Sequence, residues 1–122
     1  MRLEIREQPV GDVTVLHLAG RLVFEDGDWV LAQHVESLIA RGRVKLVLNM
    51  TDVTHIDSAG LGALAAKYVT SHRQGGEIRL CNLGPRARHV MTITNLLKVF
   101  RAFESEEEAV NSFADLPIAG SA

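Results

Sequence analysis

The sequence predicts an α/β domain: a mixed, mainly parallel sheet that starts with a hairpin and carries four helices. Three observations lead there. The first two apolar stretches alternate with polar residues, and from residue 29 onward short apolar runs take turns with amphipathic helical periods. The chain has 122 residues, enough to bury one core without metals or disulfides. The domain is expected to span residues 1–116, with 117–122 as a flexible C-terminal tail.

Leu3-Glu4-Ile5-Arg6-Glu7 alternates, turns at Pro9-Val10-Gly11-Asp12, and resumes in Val13-Thr14-Val15-Leu16-His17-Leu18-Ala19, which reads as a hairpin. Gly20 ends the second strand in this reading. Residues 21–28 form a connection rich in carboxylates, where Glu25, Asp26 and Asp28 lie close together and Asp28 can cap the next helix. Leu31, Val35, Leu38 and Ile39 share one face of a first helix over 29–40, stopped at Gly42. Val44, Leu46, Val47 and Leu48 suit a buried third strand, followed by a polar connection over 49–55.

Leu61, Leu64, Ala65, Tyr68 and Val69 recur at the spacing of one helix face, and this second helix stops at Gln74-Gly75-Gly76. Residues 78–83 read as a fourth strand, which Gly84-Pro85 breaks. A short helix over 86–95 turns Val90 and Ile93 inward, and 99–103 is a weak final strand. Ser105 and Glu108 have capping-box spacing ahead of Ala109, Val110 and Phe113, which predicts a last helix. Alternation of the later strands with helices implies parallel pairing, and places the segment after the third strand at a carboxyl end, where α/β folds present functional groups.

Composition argues against several function classes. Apolar residues make up 47% and charged residues 23%, with a formal net charge of −2, and the six aromatics are not interleaved with a basic stripe; no nucleic-acid partner is expected. The single cysteine, Cys81, excludes an intrachain disulfide and reads as a small buried hydrophobe. The N-terminal segment lacks the apolar centre of a signal peptide, and no apolar run is long enough for membrane insertion, so a cytoplasmic location is expected.

The most informative stretch is Asp57-Ser58-Ala59-Gly60-Leu61-Gly62, at the join of strand and helix. Ser58 is expected to be the N-cap of the second helix, and the alternative is a modification site. Gly60 and Gly62 each cost the helix about 1 kcal/mol relative to alanine, which calls for close approach of another backbone, from within the fold or from a partner protein, or for phosphate binding. No Walker or Rossmann glycine pattern is present, and Ile56 breaks a nucleophile-elbow pattern around Ser58. The five histidines show no paired ligand spacing. Neither catalysis, a metal nor a cofactor is expected. Asp52 and Asp57 bracket the connection before Ser58, so a phosphoryl group there would bring roughly −1.5 to −2 charges beside acids and into any contact made on Leu61 and the glycines.

These residues resemble the STAS domain family, and within it the small single-domain anti-sigma factor antagonists of bacteria. The resemblance is carried by Val47-Leu48-Asn49, by Ile56-Asp57-Ser58-Ala59-Gly60-Leu61-Gly62, and by Gly76-Glu77-Ile78-Arg79-Leu80-Cys81 leading to Pro85. It implies a partner-switching regulator that binds an anti-sigma factor, itself a serine kinase of the GHKL ATPase type, and so frees a sigma factor. The kinase would phosphorylate Ser58 and a PP2C-type phosphatase would restore it. Asp57 would shape the phosphoacceptor site, and Ala59, in place of a second serine often found there, leaves one hydroxyl to modify. Gly60, Leu61 and Gly62 would let the kinase approach. Family members usually carry Gly-Glu-Leu-Asp and then Thr-Ala before the first helix, in a loop that commonly contributes to partner recognition. Here that loop reads Gly20-Arg21-Leu22-Val23-Phe24-Glu25-Asp26-Gly27-Asp28-Trp29, with Glu25 and Asp26 as expected partner contacts. The alternative is a STAS scaffold or regulatory subunit of a stressosome-like or lipid-transport assembly, in which Ser58 is only a helix cap.

Overall fold

The computed structural model describes residues 2–115, so the tail expected at 117–122 lies outside the described residues. The elements are β1 (Glu4–Val10), β2 (Val13–Leu22), α1 (Gly27–Ala40), β3 (Lys45–Ile56), α2 (Ser58–Arg73), β4 (Glu77–Cys81), α3 (Pro85–Ile93), β5 (Ala102–Phe103) and α4 (Glu106–Ser112). Short 3-10 turns follow at Leu96–Lys98 and Phe113–Asp115. The strands lie side by side in chain order. β1 runs antiparallel to β2, and every later pair is parallel. The expected class, hairpin and four helices are all present.

The period of two along each strand divides the apolar residues between two faces. Leu16, Leu18, Leu46, Leu48, Ile78 and Leu80 meet Leu31, Val35 and Leu38 of α1, Leu61 and Leu64 of α2 and Met91 of α3. Val13, Val15, Val47 and Cys81 face the other way, against Ala109 of α4 and Phe113. Each fully buried leucine is worth about 1.5–3 kcal/mol in transfer free energy, so packing rather than helix propensity holds α1, α2 and α3 to the sheet.

α4 has only seven residues and is fixed by side chains instead. The Arg79 guanidinium lies 4.2 Å from the Phe113 ring centre and donates to Ser112 Oγ at 2.9 Å and Asp115 Oδ1 at 3.1 Å. Ser105 caps α4 by accepting from Glu108 N at 3.1 Å, as its spacing predicts.

Several boundaries differ from the sequence expectation. β2 does not end at Gly20, and the polar connection over 49–55 is not a loop: both strands continue in parallel, pairing Ala19 with Asp52 and Leu22 with Ile56. This half of β3 runs past the end of β4, so Thr51, Asp52, Thr54 and His55 are exposed and polar on a ladder-bonded backbone. α1 starts at Gly27 with Asp26 in the N-cap position, and Asp28, expected as the cap, lies inside the first turn. The final strand shrinks to Ala102–Phe103, because Phe100 turns into the core after the Leu96–Lys98 turn, and Val69 of α2 and Ile93 of α3, both expected on inner faces, are exposed.

Candidate functional site at the strand-to-helix junction

Asp57 makes the junction. Its backbone is extended (φ −122°) where β3 ends, and its amide donates to Leu22 O at 3.4 Å. Its Oδ1 accepts from Gly60 N at 2.9 Å, the third helical residue, while Leu61 N closes the first helical bond on Asp57 O at 3.0 Å. Asp57 is therefore the N-cap of α2. Ser58, expected in that role, is the first residue inside the helix. A carboxylate at 57 reaches the third amide with two acceptor oxygens, and leaves nothing for the hydroxyl to cap. Ser58 is exposed, and among the described residues its hydroxyl has no hydrogen-bond partner. The alternative in which Ser58 serves only as a cap thus loses that role.

The second carboxylate oxygen does different work. Asp57 Oδ2 accepts from Phe24 N at 3.1 Å and so ties the β2–α1 loop to the start of α2. The hydrogen bonds from Gly60 and then Phe24 hold the Asp57 carboxyl below its ordinary value of 3.8. The carboxylate stays charged at neutral pH, beside the positive end of a 16-residue helix.

The two glycines answer to different constraints. A Cβ on Gly60 would lie 2.1 Å from Leu22 O, so the close backbone approach predicted for this motif comes from within the fold. With its amide on Asp57 and its Cα face on Leu22, Gly60 is not part of a phosphate cradle. Gly62 is exposed, with nothing within 4 Å of a Cβ placed there. Leu61 is 5% exposed and belongs to the core, and Ala59 is half-buried. The outward surface of the motif therefore consists chiefly of Ser58 and Gly62.

The loop carrying Glu25 and Asp26 lies next to this surface through the Phe24–Asp57 bond. Glu25 is exposed with φ +55°, and Asp26 is half-buried, donating its amide to Val23 O at 3.3 Å and to Asp28 Oδ1 at 3.0 Å. Asp52, paired in the sequence reading with Asp57, is separated from it by five extended residues, on the order of 15 Å. It does not contribute to the junction. Sequence reasoning missed the Leu22 carbonyl, which no side-chain pattern encodes, and the exposed rings of Phe24 and Trp29. Two aromatics flanking a run dense with carboxylates, one before and one just inside α1, are the available signal. Among the described residues no group of three or more His, Cys, Asp or Glu is placed to hold a metal ion, and no helix is long and apolar enough to cross a membrane.

The STAS domain family model matches residues 4–109. An anti-sigma F factor antagonist of Paenibacillus polymyxa is 26% identical over 118 residues, covering 97% of this chain and 98% of that protein. Among solved structures, an anti-sigma factor antagonist from Mycobacterium paratuberculosis superposes with a TM-score of 0.82 at 23% identity, covering 93% of this chain and 95% of that one. The Bacillus cell fate determinant SpoIIAA in its phosphorylated form gives a TM-score of 0.70 at 21% identity, covering 89% and 98%. These structural likenesses show a common fold.

Proposed function

This chain belongs to the STAS domain family, and we propose that it acts there as an anti-sigma factor antagonist whose binding is switched off by phosphorylation of Ser58. Unmodified, it binds an anti-sigma factor that is also a GHKL-type serine kinase, in the cytoplasm, and so releases a sigma factor. The kinase transfers the terminal phosphoryl group of ATP to Ser58 Oγ, the hydroxyl proton leaves, and ADP is the second product. A PP2C-type phosphatase hydrolyses the ester and resets the chain, which is a substrate in this cycle and not a catalyst. The Paenibacillus relative, matched over nearly the full length of both chains, supports the antagonist role.

The observation that carries the reading is the exposed Ser58 hydroxyl, released from capping by Asp57 at the start of α2. Phosphorylation adds roughly −1.5 to −2 charges. Within the fold, attraction to the helix N-terminus opposes repulsion from Asp57, so the domain stays folded. For a partner seated over Ser58 and Gly62, both charge and bulk fall inside the contact. Binding is lost without unfolding.

The test is intact-mass analysis after incubation with ATP and the kinase. Wild type gains one phosphate and Ser58→Ala, whose cap is intact, gains none. A phosphate that still appears on Ser58→Ala overturns the assignment.

A further inference from the structure

We propose that Phe24 and Trp29 are the aromatic anchor by which this chain docks on its serine kinase, in a cleft that is apolar at its centre and cationic at its rim; the inference rests on the reading of Ser58 as that kinase's substrate. Phe24 is 65% exposed and Trp29 66%. The other four aromatic residues, Tyr68, Phe100, Phe103 and Phe113, lie in the core or pack against it. Two large rings left in water five positions apart have no use in the fold, whereas Trp and other aromatics dominate the energetics of protein interfaces.

The rings stand on a fixed support. Phe24 N is held by Asp57 Oδ2 at 3.1 Å, Val23 O accepts from Asp28 N at 3.2 Å, and Asp28 Oδ1 accepts from Trp29 N at 2.8 Å. A loop ordered before binding loses little entropy on docking. Phe24 N bonds the residue that caps α2, so the loop bearing the ring is tied to the helix start that bears Ser58.

Charge selects the occupant. Exposed Glu25 and half-buried Asp26 lie between the two rings in the chain, Asp28 and Asp57 hold the backbone amides of Trp29 and Phe24, and among the described residues none of the four is in an ion pair. Arg21, exposed near the end of β2, is the one formal cation over residues 20–29. A second copy of this chain, docked symmetrically, would set these carboxylates against themselves. A kinase cleft with a Lys- or Arg-lined rim complements them.

The probe is the GHKL-type serine kinase of the native cell that phosphorylates wild-type chain at Ser58, held in ADP. Phe24→Ala and Trp29→Ala are expected to bind it at least about 10-fold more weakly, while Ile93→Ala, which trims an equally exposed side chain on α3, stays within about twofold of wild type. Trp29 is the only tryptophan, so 5-fluorotryptophan labelling gives one fluorine signal, which shifts and broadens when kinase is added to the unmutated chain. Binding of both aromatic variants within about twofold of wild type, or an unmoved fluorine signal in a formed complex, overturns the proposal. So does a dimer that depends on the rings while kinase affinity does not. If no such kinase modifies Ser58, the functional reading fails and the anchor with it. If Ser58 is modified and the aromatic variants bind normally, only the anchor is lost.

Discussion

The carboxylate of Asp57 bonds Phe24 N at 3.1 Å through one oxygen while its other oxygen caps α2 on Gly60 N at 2.9 Å. One side chain thus sets the start of the helix that bears Ser58 and the position of the loop beside it. Replacing it is expected to affect both. Asp57→Ala should lower stability by about 1–2 kcal/mol, the loss typical of an N-cap, as measured by urea unfolding with an unchanged slope. Asp57→Asn keeps one acceptor for two donors and should lose part of that amount, with faster hydrogen exchange at the Phe24 or Gly60 amide.

The pH dependence follows from the same bonds. The folded Asp57 carboxyl lies below its ordinary value of 3.8, so its stabilising contribution is present above that value and is lost as pH falls through the lower folded value. The stability gap between wild type and Asp57→Asn should therefore be constant from neutral pH down to about 5 and narrow below about 4. A gap that widens with acid would reverse the sign.

Gly60 and Gly62 should respond oppositely to alanine. At Gly60 the new Cβ meets backbone, Leu22 O at 2.1 Å, so strand and helix must separate; a loss above about 3 kcal/mol is expected, in the range of severe packing mutations. At Gly62 the Cβ meets nothing within 4 Å, and helix propensity should raise stability by up to about 1 kcal/mol. The same methyl stands on the surface beside Ser58, so Gly62→Ala should weaken kinase binding while raising the melting temperature. A glycine that is costly to the fold and exposed to a partner leaves this paired signature.

Cys81 offers a check on the second core cluster. Burial first, and then the nearby Glu106 carboxylate, push its thiol up to about 11. In native protein at pH 8 it should resist alkylation by iodoacetamide and react fully only after denaturation. Rapid native labelling would mean that α4 opens from the sheet.

Much of this was legible in the residues. Alternation in β1 and β2, helical spacing in α2 and the Ser105 cap all encode local structure through side chains that face the core or the backbone nearby. The errors fall where long-range pairing decides. The polar run over 49–55 resembles a loop because its side chains are in water, yet pairing with β2 makes it strand. Ser58 resembled a cap because both neighbours, Asp57 and Ser58, are good capping residues, and only the extended backbone of Asp57 selects between them. The cost of the two glycines implies a close neighbour or a ligand without saying which; at Gly60 it is a carbonyl on a strand 38 positions earlier, which no local pattern encodes.

The most direct measurement is calorimetric titration of the kinase with unmodified chain and with chain phosphorylated at Ser58. The account predicts that the phosphorylated form binds at least about 100-fold more weakly, yet melts within a few degrees of the unmodified form. Equal affinity of the two forms would contradict it.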